Sequence, residues 1–266
     1  MNLGLNHHVI LVTGGASGIG QAITRACLAE GARVVILSRI SDGVEEFLQE
    51  MKERTLPCEL RVTELADPEH CRSAMQYIAD TFGRLDALVN NAGTNDGVGL
   101  EHGNVEQFQQ SLSINLTQCY ALAHYATPLL KASRGSILNI ASKVALTGQG
   151  GTSGYAAAKG ALLALTREWA AELLPFGIRV NCLIPAEVMT PQYTMWLRTL
   201  ADPDAMVNYI TAQVPLEHRM TRVEEIASTA VFLLSPTQSG HTTGQHIHVD
   251  GGYVHLDRML TVKPLH

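Results

Sequence analysis

The sequence predicts a three-layer α/β fold in which a doubly wound, Rossmann-like parallel sheet forms a single domain over residues 1–266. Three observations support this prediction. Short apolar runs alternate with helical stretches, a glycine-rich turn directly follows the first apolar run, and no linker or change in composition divides the 266 residues. Repeated strand–helix units with apolar strands are typical of a parallel sheet covered by helices on both faces.

The elements follow from this alternation in chain order. The predicted strands and helices are strand 9–12, helix 21–30, strand 33–37, helix 42–53, strand 58–62, helix 68–82, strand 87–89, helices 105–114 and 116–131, strand 136–140, helix 153–174, strand 178–183, helix 223–234 and strand 245–249. Four prolines interrupt the pattern between residues 184 and 220. Because long irregular insertions in compact domains are usually functional or disordered, and this one is rich in apolar residues, we expect a substrate lid around residues 185–220.

Bulk composition limits the classes of function. The chain is 46% hydrophobic and 17% charged, which indicates a globular protein. A net charge of −6 without a basic run argues against a nucleic-acid partner. No apolar segment approaches the roughly 20 residues of a membrane span, and residues 1–9 lack a signal-peptide pattern. Five scattered cysteines without a C-x-x-C pair favour reduced thiols, so we expect a cytoplasmic protein.

The glycine-rich turn at residues 13–20 has the sequence T-G-G-A-S-G-I-G and lies between the first strand and the first helix. A strand, a glycine-rich turn and a helix together place a pyrophosphate at the N-terminus of that helix. Glycine permits the tight turn and a close approach of the backbone to the phosphates. The turn therefore predicts a dinucleotide cofactor.

Ser38 and Arg39 follow the second predicted strand, about 20 residues past the glycines. Cofactor sites for NAD usually have an acid here for the ribose 2′-hydroxyl, whereas an arginine suits a 2′-phosphate. Arg39 therefore favours NADP, with NAD as the second option. The alternative for Arg39 is a solvated charge on a loop.

Tyr155 and Lys159 are four residues apart and share one face of a predicted helix. An ammonium close to a phenol stabilises the phenolate, so such a tyrosine can exchange a proton with a substrate hydroxyl near neutral pH. Ser142 lies thirteen positions earlier, where a strand is predicted to end, and could bind the same oxygen. The alternative is an ordinary surface tyrosine and lysine.

These motifs together resemble the short-chain dehydrogenase/reductase family over essentially the full chain. The matching features are the turn at 13–20, N-N-A-G at 90–93, Asn115, Ser142, Y-x-x-x-K at 155–159 and V-D-G-G at 249–252. The resemblance implies that Tyr155 is the catalytic acid/base and that Lys159 assists it and holds the nicotinamide ribose. Ser142 would orient the substrate oxygen, and Asn115 would position a water that relays the proton through Lys159.

The resemblance also implies a set of cofactor contacts. The phosphate turn would act through Gly14, Ser17, Gly18, Ile19 and Gly20. The remaining contacts would be Glu64 and Leu65 beside the adenine, Asn91, Ala92 and Gly93 beside the ribose, and Pro185, Val188 and Thr190 near the carboxamide. Ala186 departs from the family pattern, which usually has a glycine after the proline.

Three short stretches narrow the resemblance: P-A-E-V-M-T-P at 185–191, the loop at 93–97 and the tail at 255–258 are similar to bacterial L-fucose dehydrogenases of this family. This similarity implies oxidation of the anomeric hydroxyl of an aldose to a lactone. The candidate substrate contacts are Ser142 and Tyr155 together with Asn95, Gln149 and Glu187. A 3-oxoacyl-thioester or hydroxysteroid reductase is the alternative among enzymes, and a cofactor-binding regulator is the alternative outside them.

Family resemblance further implies a homotetramer. Its dimer faces would be the predicted helices 116–131 and 153–174, and the tail at 253–258 would lie near a neighbour's pocket.

Three other features have competing explanations. His246 and His248 share a face of a strand but fall short of the three protein ligands of a catalytic zinc, so we expect no metal. Asn115 could simply cap the helix that follows it, and Glu187 could be a surface acid.

Overall fold

The computed structural model describes residues 2–257, and within them seven parallel strands form one sheet in the order β3-β2-β1-β4-β5-β6-β7. The strands are β1 (Val9–Thr13), β2 (Arg33–Ser38), β3 (Cys58–Val62), β4 (Ala87–Asn90), β5 (Ser136–Ile140), β6 (Arg179–Pro185) and β7 (His246–Val249). The strand order reverses between β1 and β4, which is the point where open α/β sheets bind ligands. The predicted fold class is confirmed.

Helices cover both faces of the sheet. They are α1 (Gly18–Ala29), α2 (Val44–Glu53), α3 (Pro68–Phe82), α4 (Val105–Leu112), α5 (Gln118–Ser133), α6 (Ser153–Leu173), α7 (Pro191–Leu197), α8 (Pro203–Ala212) and α9 (Val223–Leu234). One buried cluster joins the sheet to α1, α2 and α9, and a second joins it to α3, α5 and α6.

Strand β1 shows why the sheet is buried on both sides. All five of its residues are buried. Ile10 and Val12 pack into the first cluster, whereas Val9 and Leu11 pack into the second. Alternate side chains of a strand point to opposite faces, so a strand between two helical layers must be apolar throughout. Each fully buried side chain of this kind contributes roughly 1.5–3 kcal/mol.

The helices predicted at 105–114 and 116–131 form one continuous helical run from residue 105 to residue 133. A π turn at Ser113–Thr117 joins α4 to α5, and Asn115 lies inside it. Backbone angles before and after this turn are helical, with φ −64° at Leu112 and −58° at Gln118. The capping alternative for Asn115 is therefore wrong, because the residue is inside a helix and not at its start.

The irregular segment predicted at 184–220 contains two short helices, α7 and α8. Thr190 and Asp202 cap them by accepting hydrogen bonds from backbone N–H groups, and a proline occupies the first helical position of each. This is the usual chemistry of a helix start. Two of the four prolines that interrupt the hydrophobic pattern, Pro191 and Pro203, therefore mark where helices begin.

Candidate active site

The glycine-rich turn fits a pyrophosphate by shape and by charge. Gly14 and Gly18 have φ of 62° and 52°, in the region that favours glycine. A Cβ on Gly20 would collide with the carbonyl oxygen of Gly14 and with the Asn91 amide. The Ser17 side chain makes no capping bond, and the first turn of α1, which includes Ile19, holds no acidic residue. The N–H groups at this helix end are thus directed at a position suited to an anion.

Thr13 ties this turn to the loop after β4. Its hydroxyl accepts hydrogen bonds from the backbone N–H groups of Asn91 and Ala92, both at 2.9 Å, and the Asn91 amide donates to the Thr13 carbonyl at 2.9 Å. Gln118 donates to the Ala92 carbonyl at 3.0 Å. The structure therefore places residues 91 and 92 beside the glycine-rich turn. Sequence reasoning did not identify Thr13 and Gln118 as supports.

The loops after β2 and β3 are neighbours at the carboxyl edge of the sheet. Ser38 is paired in register with Val62, and the Thr63 N–H donates to the Ser38 carbonyl at 3.0 Å. Arg39 and Glu64 are exposed on these adjoining loops, whereas Leu65 is buried. The Glu64 carboxylate accepts from the backbone N–H of its own loop, at Ala66.

Asn115 and Lys159 converge on Gly93. The fully buried Asn115 side chain accepts a 2.8 Å bond from the Thr94 N–H and donates a 3.0 Å bond to the Ser111 carbonyl. Buried Lys159 donates to the Ile140 carbonyl at 2.7 Å. A Cβ on Gly93 would lie 2.7 Å from Asn115 Oδ1 and 3.4 Å from Lys159 Nζ. Only glycine therefore fits between these two side chains.

Ser142 and Tyr155 are placed by neighbouring elements. Ser142 follows β5 and begins a 3₁₀ turn at Lys143–Ala145, where its Oγ accepts from the Val144 N–H at 3.5 Å. Tyr155 is half-buried in the first turn of α6, which packs against this 3₁₀ turn. The Lys159 ammonium lies 5.5 Å from the centre of the Tyr155 ring. The structure thus brings the four predicted catalytic residues to one end of the sheet.

Glu187 is buried, and each of its two carboxylate oxygens has one partner. Its Oε1 pairs with the Lys143 ammonium, and its Oε2 accepts a 2.9 Å bond from the Tyr193 hydroxyl. Burial, and then the Glu187 carboxylate, raise the pKa of Tyr193, which keeps this hydroxyl a donor. Lys143 Nζ also lies 4.2 Å from the centre of the Tyr253 ring. The surface-acid alternative for Glu187 is therefore wrong.

The loop after β6 reaches back to the glycine turn. Pro185 ends β6, Val188 is buried and bridges to Thr221, and Thr190 lies 3.4 Å from the position of a Cβ on Gly18. Gln192, on α7, donates a hydrogen bond to the Thr94 hydroxyl. The first turn of α7 therefore touches the loop that Asn115 holds.

The other two predicted substrate contacts lie on exposed loops. Asn95 accepts a 3.3 Å bond from the Gly97 N–H, and Gln149 lies in the exposed loop before α6. Neither lines the cavity of about 280 Å³ beside Glu187. That cavity is bounded by Glu187, Tyr209, Ile210, Gln213 and Tyr253.

The two strand histidines have other partners. His246 contacts the Leu163 carbonyl at 2.9 Å, and burial lowers its pKa. The His248 ring lies against His255, with ring centres 4.4 Å apart. Across residues 2–257 no group of three or more histidine, cysteine or acidic side chains is arranged to hold a metal ion. Over the same residues, the helices are too short or too polar to cross a membrane.

The parallel sheet carries a glycine-rich turn that fits a pyrophosphate, at the point where the strand order reverses. This is the architecture of the dinucleotide-binding oxidoreductases. Comparison with known proteins then defines the family. A family model described as "Enoyl-(Acyl carrier protein) reductase" matches residues 14–254. The chain belongs to the short-chain dehydrogenase/reductase family, whose members bind NAD(P).

Similar proteins include sugar dehydrogenases. The chain is 36% identical to an L-fucose dehydrogenase of Bos taurus over 92% of this chain and 88% of that protein. The crystal structure of Cj0485 dehydrogenase is 42% identical, with a TM-score of 0.91 over 97% of this chain and 98% of the other. The L-sorbose reductase of Gluconobacter frateurii, solved with NADPH and L-sorbose, is 28% identical, with a TM-score of 0.91 over 97% and 100% of the two chains.

Proposed function

We propose that this protein is an NAD(P)-dependent dehydrogenase that oxidises the anomeric hydroxyl of an aldose to its lactone, with L-fucose as the favoured substrate. The observation that carries this proposal is the Lys143–Glu187 pair, in which a buried carboxylate meets the ammonium of Lys143, the residue that follows Ser142. Such a wall suits a substrate with several hydroxyls. The similarity to an L-fucose dehydrogenase supports the same conclusion.

Residues of this chain are suited to hold the cofactor at three places. The turn at 14–20 would hold the pyrophosphate, residues 91–93 and Lys159 would hold the nicotinamide ribose, and Val188 and Thr190 would lie at the carboxamide. Bound there, the nicotinamide cofactor supplies the acceptor for the hydride that leaves C1 of the sugar.

Protein groups handle the proton. Tyr155 takes the proton of the anomeric hydroxyl while the hydride leaves C1, so the C–O bond becomes a carbonyl. Ser142 donates a hydrogen bond to the same oxygen and orients it. Lys159 stabilises the phenolate form of Tyr155 that accepts this proton, and Asn115 positions a water through which the proton then leaves by way of Lys159.

Cofactor choice depends on the loop after β2. Arg39 is exposed there and can pair with a 2′-phosphate through its planar guanidinium, and Ser38 supplies no carboxylate that would repel that phosphate. We therefore favour NADP over NAD. Glu64 and Leu65 lie on the adjoining loop, where the adenine would bind.

Two other classes of function are alternatives. The chain is 31% identical to a 3-oxoacyl-[acyl-carrier-protein] reductase over 94% of its length, so a 3-oxoacyl-thioester reductase is the second candidate, with a hydroxysteroid reductase beside it. A cofactor-binding regulator is the third, because a fold alone does not define activity. Against the regulator, the four residues Asn115, Ser142, Tyr155 and Lys159 lie together. Against the reductases, the ion pair of Lys143 and Glu187 is a poor wall for an acyl chain or a steroid.

A substrate panel tests this proposal. L-fucose, D-arabinose, L-galactose, 3-oxoacyl thioesters and hydroxysteroids are each assayed with NAD(H) and NADP(H), following the absorbance of the reduced cofactor. Turnover of the sugars supports the proposal. Turnover of a thioester or a steroid without any sugar would replace it, and tight cofactor binding without turnover would favour the regulator.

We also propose a cytoplasmic homotetramer whose dimer faces are α5 and α6. Tyr120 supports this proposal, because its large ring is 55% exposed on α5 and lies parallel to the His124 ring. The tail would lie near a neighbour's pocket. Within this chain Tyr253 lines the cavity beside Glu187, and Arg258 lies outside the described residues.

A further inference from the structure

The cavity beside Glu187 adjoins the turn that carries Ser142. Glu187, in its wall, bonds to Lys143, the residue after Ser142, and the Tyr253 ring of the same wall lies 4.2 Å from the Lys143 ammonium. A substrate whose reacting oxygen meets Ser142 and Tyr155 would therefore extend its far side toward this cavity. The mechanism proposed above assigns no role to that space.

Part of the cavity lining is polar. A carboxylate has about four acceptor positions, and Lys143 and Tyr193 each occupy one of those of Glu187. The remaining positions can accept from hydroxyls, as charge-assisted bonds. Gln213 adds an amide, and the rings of Tyr209 and Tyr253 add apolar faces for the C–H groups of a sugar ring.

One residue of the cavity lining is aliphatic. Ile210, on α8, is the one aliphatic side chain among the five residues that bound the cavity. It can contact a methyl group, but it leaves a hydroxyl without a hydrogen-bond partner, which is costly. A volume of about 280 Å³ lies just under the range of roughly 300–1,000 Å³ of drug-sized ligand pockets, which suits part of a monosaccharide.

We propose, building on the aldose assignment above, that this cavity holds the C5 side of the pyranose ring. Ile210 selects a methyl group over a hydroxymethyl group there. The preferred substrates are accordingly 6-deoxyaldoses. Ile210 is then a specificity-determining residue that contacts the sugar far from the reacting carbon.

Three sugars that differ only at C6 test the contact between Ile210 and the substrate. L-galactose differs from L-fucose only by a hydroxyl on C6, and D-arabinose presents the same ring without C6. An apolar pocket rejects an added hydroxyl by up to about 100-fold. The wild-type ratio of kcat/KM for L-fucose over L-galactose should therefore lie between about tenfold and 100-fold.

The test compares Ile210→Val with Ile210→Thr, two side chains of the same shape that differ in one hydroxyl. The valine variant should keep the L-fucose to L-galactose ratio, and the threonine variant should lower it by about tenfold. D-arabinose should be oxidised equally by both, which also shows that both are folded. Val207→Ala, a half-buried position on α8 outside the cavity wall, serves as the control and should leave the ratio unchanged.

The possible outcomes distinguish a failure of the Ile210 subsite from a failure of the aldose assignment. If wild type oxidises the three sugars but the valine and threonine variants share one ratio, the subsite is wrong and the aldose assignment stands. If wild type oxidises none of them, the aldose assignment falls and the subsite falls with it. If the threonine variant does not fold, Ile210→Ala is used in its place. The alanine leaves space for a water beside the 6-hydroxyl of L-galactose, so this variant must also lower the L-fucose to L-galactose ratio.

Discussion

The carboxylate of Glu187 is paired with the ammonium of Lys143, and both side chains are almost wholly removed from solvent, at 8% and 13% exposure. Lys143 follows Ser142 in the chain, and Glu187 also accepts from Tyr193 on α7. The pair therefore connects the 3₁₀ turn after β5 with the first turn of α7.

This connection predicts a large thermodynamic coupling. Glu187→Gln or Lys143→Met alone should destabilise the fold by about 3–5 kcal/mol, because each leaves one buried charge without its partner. The double variant should cost clearly less than the two single variants together. Urea denaturation of all four proteins measures this, and strictly additive losses would show that the pair is not coupled.

Kinetics of the same variants test the substrate role. Glu187→Gln should raise KM for the sugar, because an amide accepts more weakly than a carboxylate and offers only one acceptor oxygen. Its Kd for the cofactor should match that of wild type, since the Glu187 carboxylate bonds to Lys143 and Tyr193 and is not one of the proposed cofactor contacts. Equal KM values for the two proteins would remove Glu187 from substrate binding.

Tyr155→Phe should lose turnover by about 10²–10⁴-fold or more, because a phenyl ring has no oxygen to take the proton. Cofactor affinity should be retained in this variant, whereas Lys159→Ala should lose both turnover and cofactor affinity. Tyr77→Phe is a matched control, since Tyr77 packs against Arg61 and Phe82 instead. Near-normal turnover by Tyr155→Phe would falsify the mechanism.

Gly20→Ala should abolish tight cofactor binding, because the added methyl group collides with the Gly14 carbonyl and forces the turn to move. Gly148→Ala is the control, since a Cβ there would meet no atom within 4 Å. Isothermal titration of both variants with NADP and NAD provides the measurement. Undiminished affinity in Gly20→Ala would exclude this turn as the phosphate site.

Cofactor preference should reverse when the loop after β2 gains a negative charge and loses a positive one. Wild type should prefer NADP, and Ser38→Asp combined with Arg39→Ala should prefer NAD, because the carboxylate repels a 2′-phosphate and accepts from a 2′-hydroxyl. The ratio of kcat/KM for the two cofactors is the readout. A wild type that already prefers NAD by about tenfold, or 1.4 kcal/mol, would contradict this assignment.

The native mass should correspond to four chains. Light scattering at micromolar concentration measures it, and Tyr120→Glu should reduce the mass if α5 forms a dimer face, because it places a charge in an apolar contact. A monomeric wild type would contradict the proposed assembly.

Most of the fold follows from hydrophobic periodicity. Helices α3 and α9 and strands β3 and β5 have the bounds predicted from the sequence, and the other strands differ from prediction by one or two residues at their ends. The start of α1 was predicted three residues late, because Gly18 and Gly20 lower helix propensity and hid its first turn. Tertiary packing and the close approach of Asn91 favour glycine there.

The site was harder to predict where it depends on contacts between distant segments. Spacing indicated that Tyr155 and Lys159 share a helix face, but nothing in the local sequence links Lys143 to Glu187, 44 residues apart. Asn95 and Gln149 were chosen for their polarity alone, and both are exposed. The position of Lys143 directly after Ser142 was the one signal in the sequence that could have indicated that Lys143 lies at the site.

The π turn at Ser113–Thr117 also changes the direction in which the side chains of one helical run point. Before it, α4 packs against α6, and after it, α5 packs against α3. A regular α-helix turns by about 100° per residue, so the additional residue of a π turn rotates the two halves relative to each other. Deleting one residue here would straighten the run but direct one of its apolar faces away from its partner and remove Asn115 from Gly93. The number of residues in this turn therefore cannot change by even one, whichever side chains occupy it.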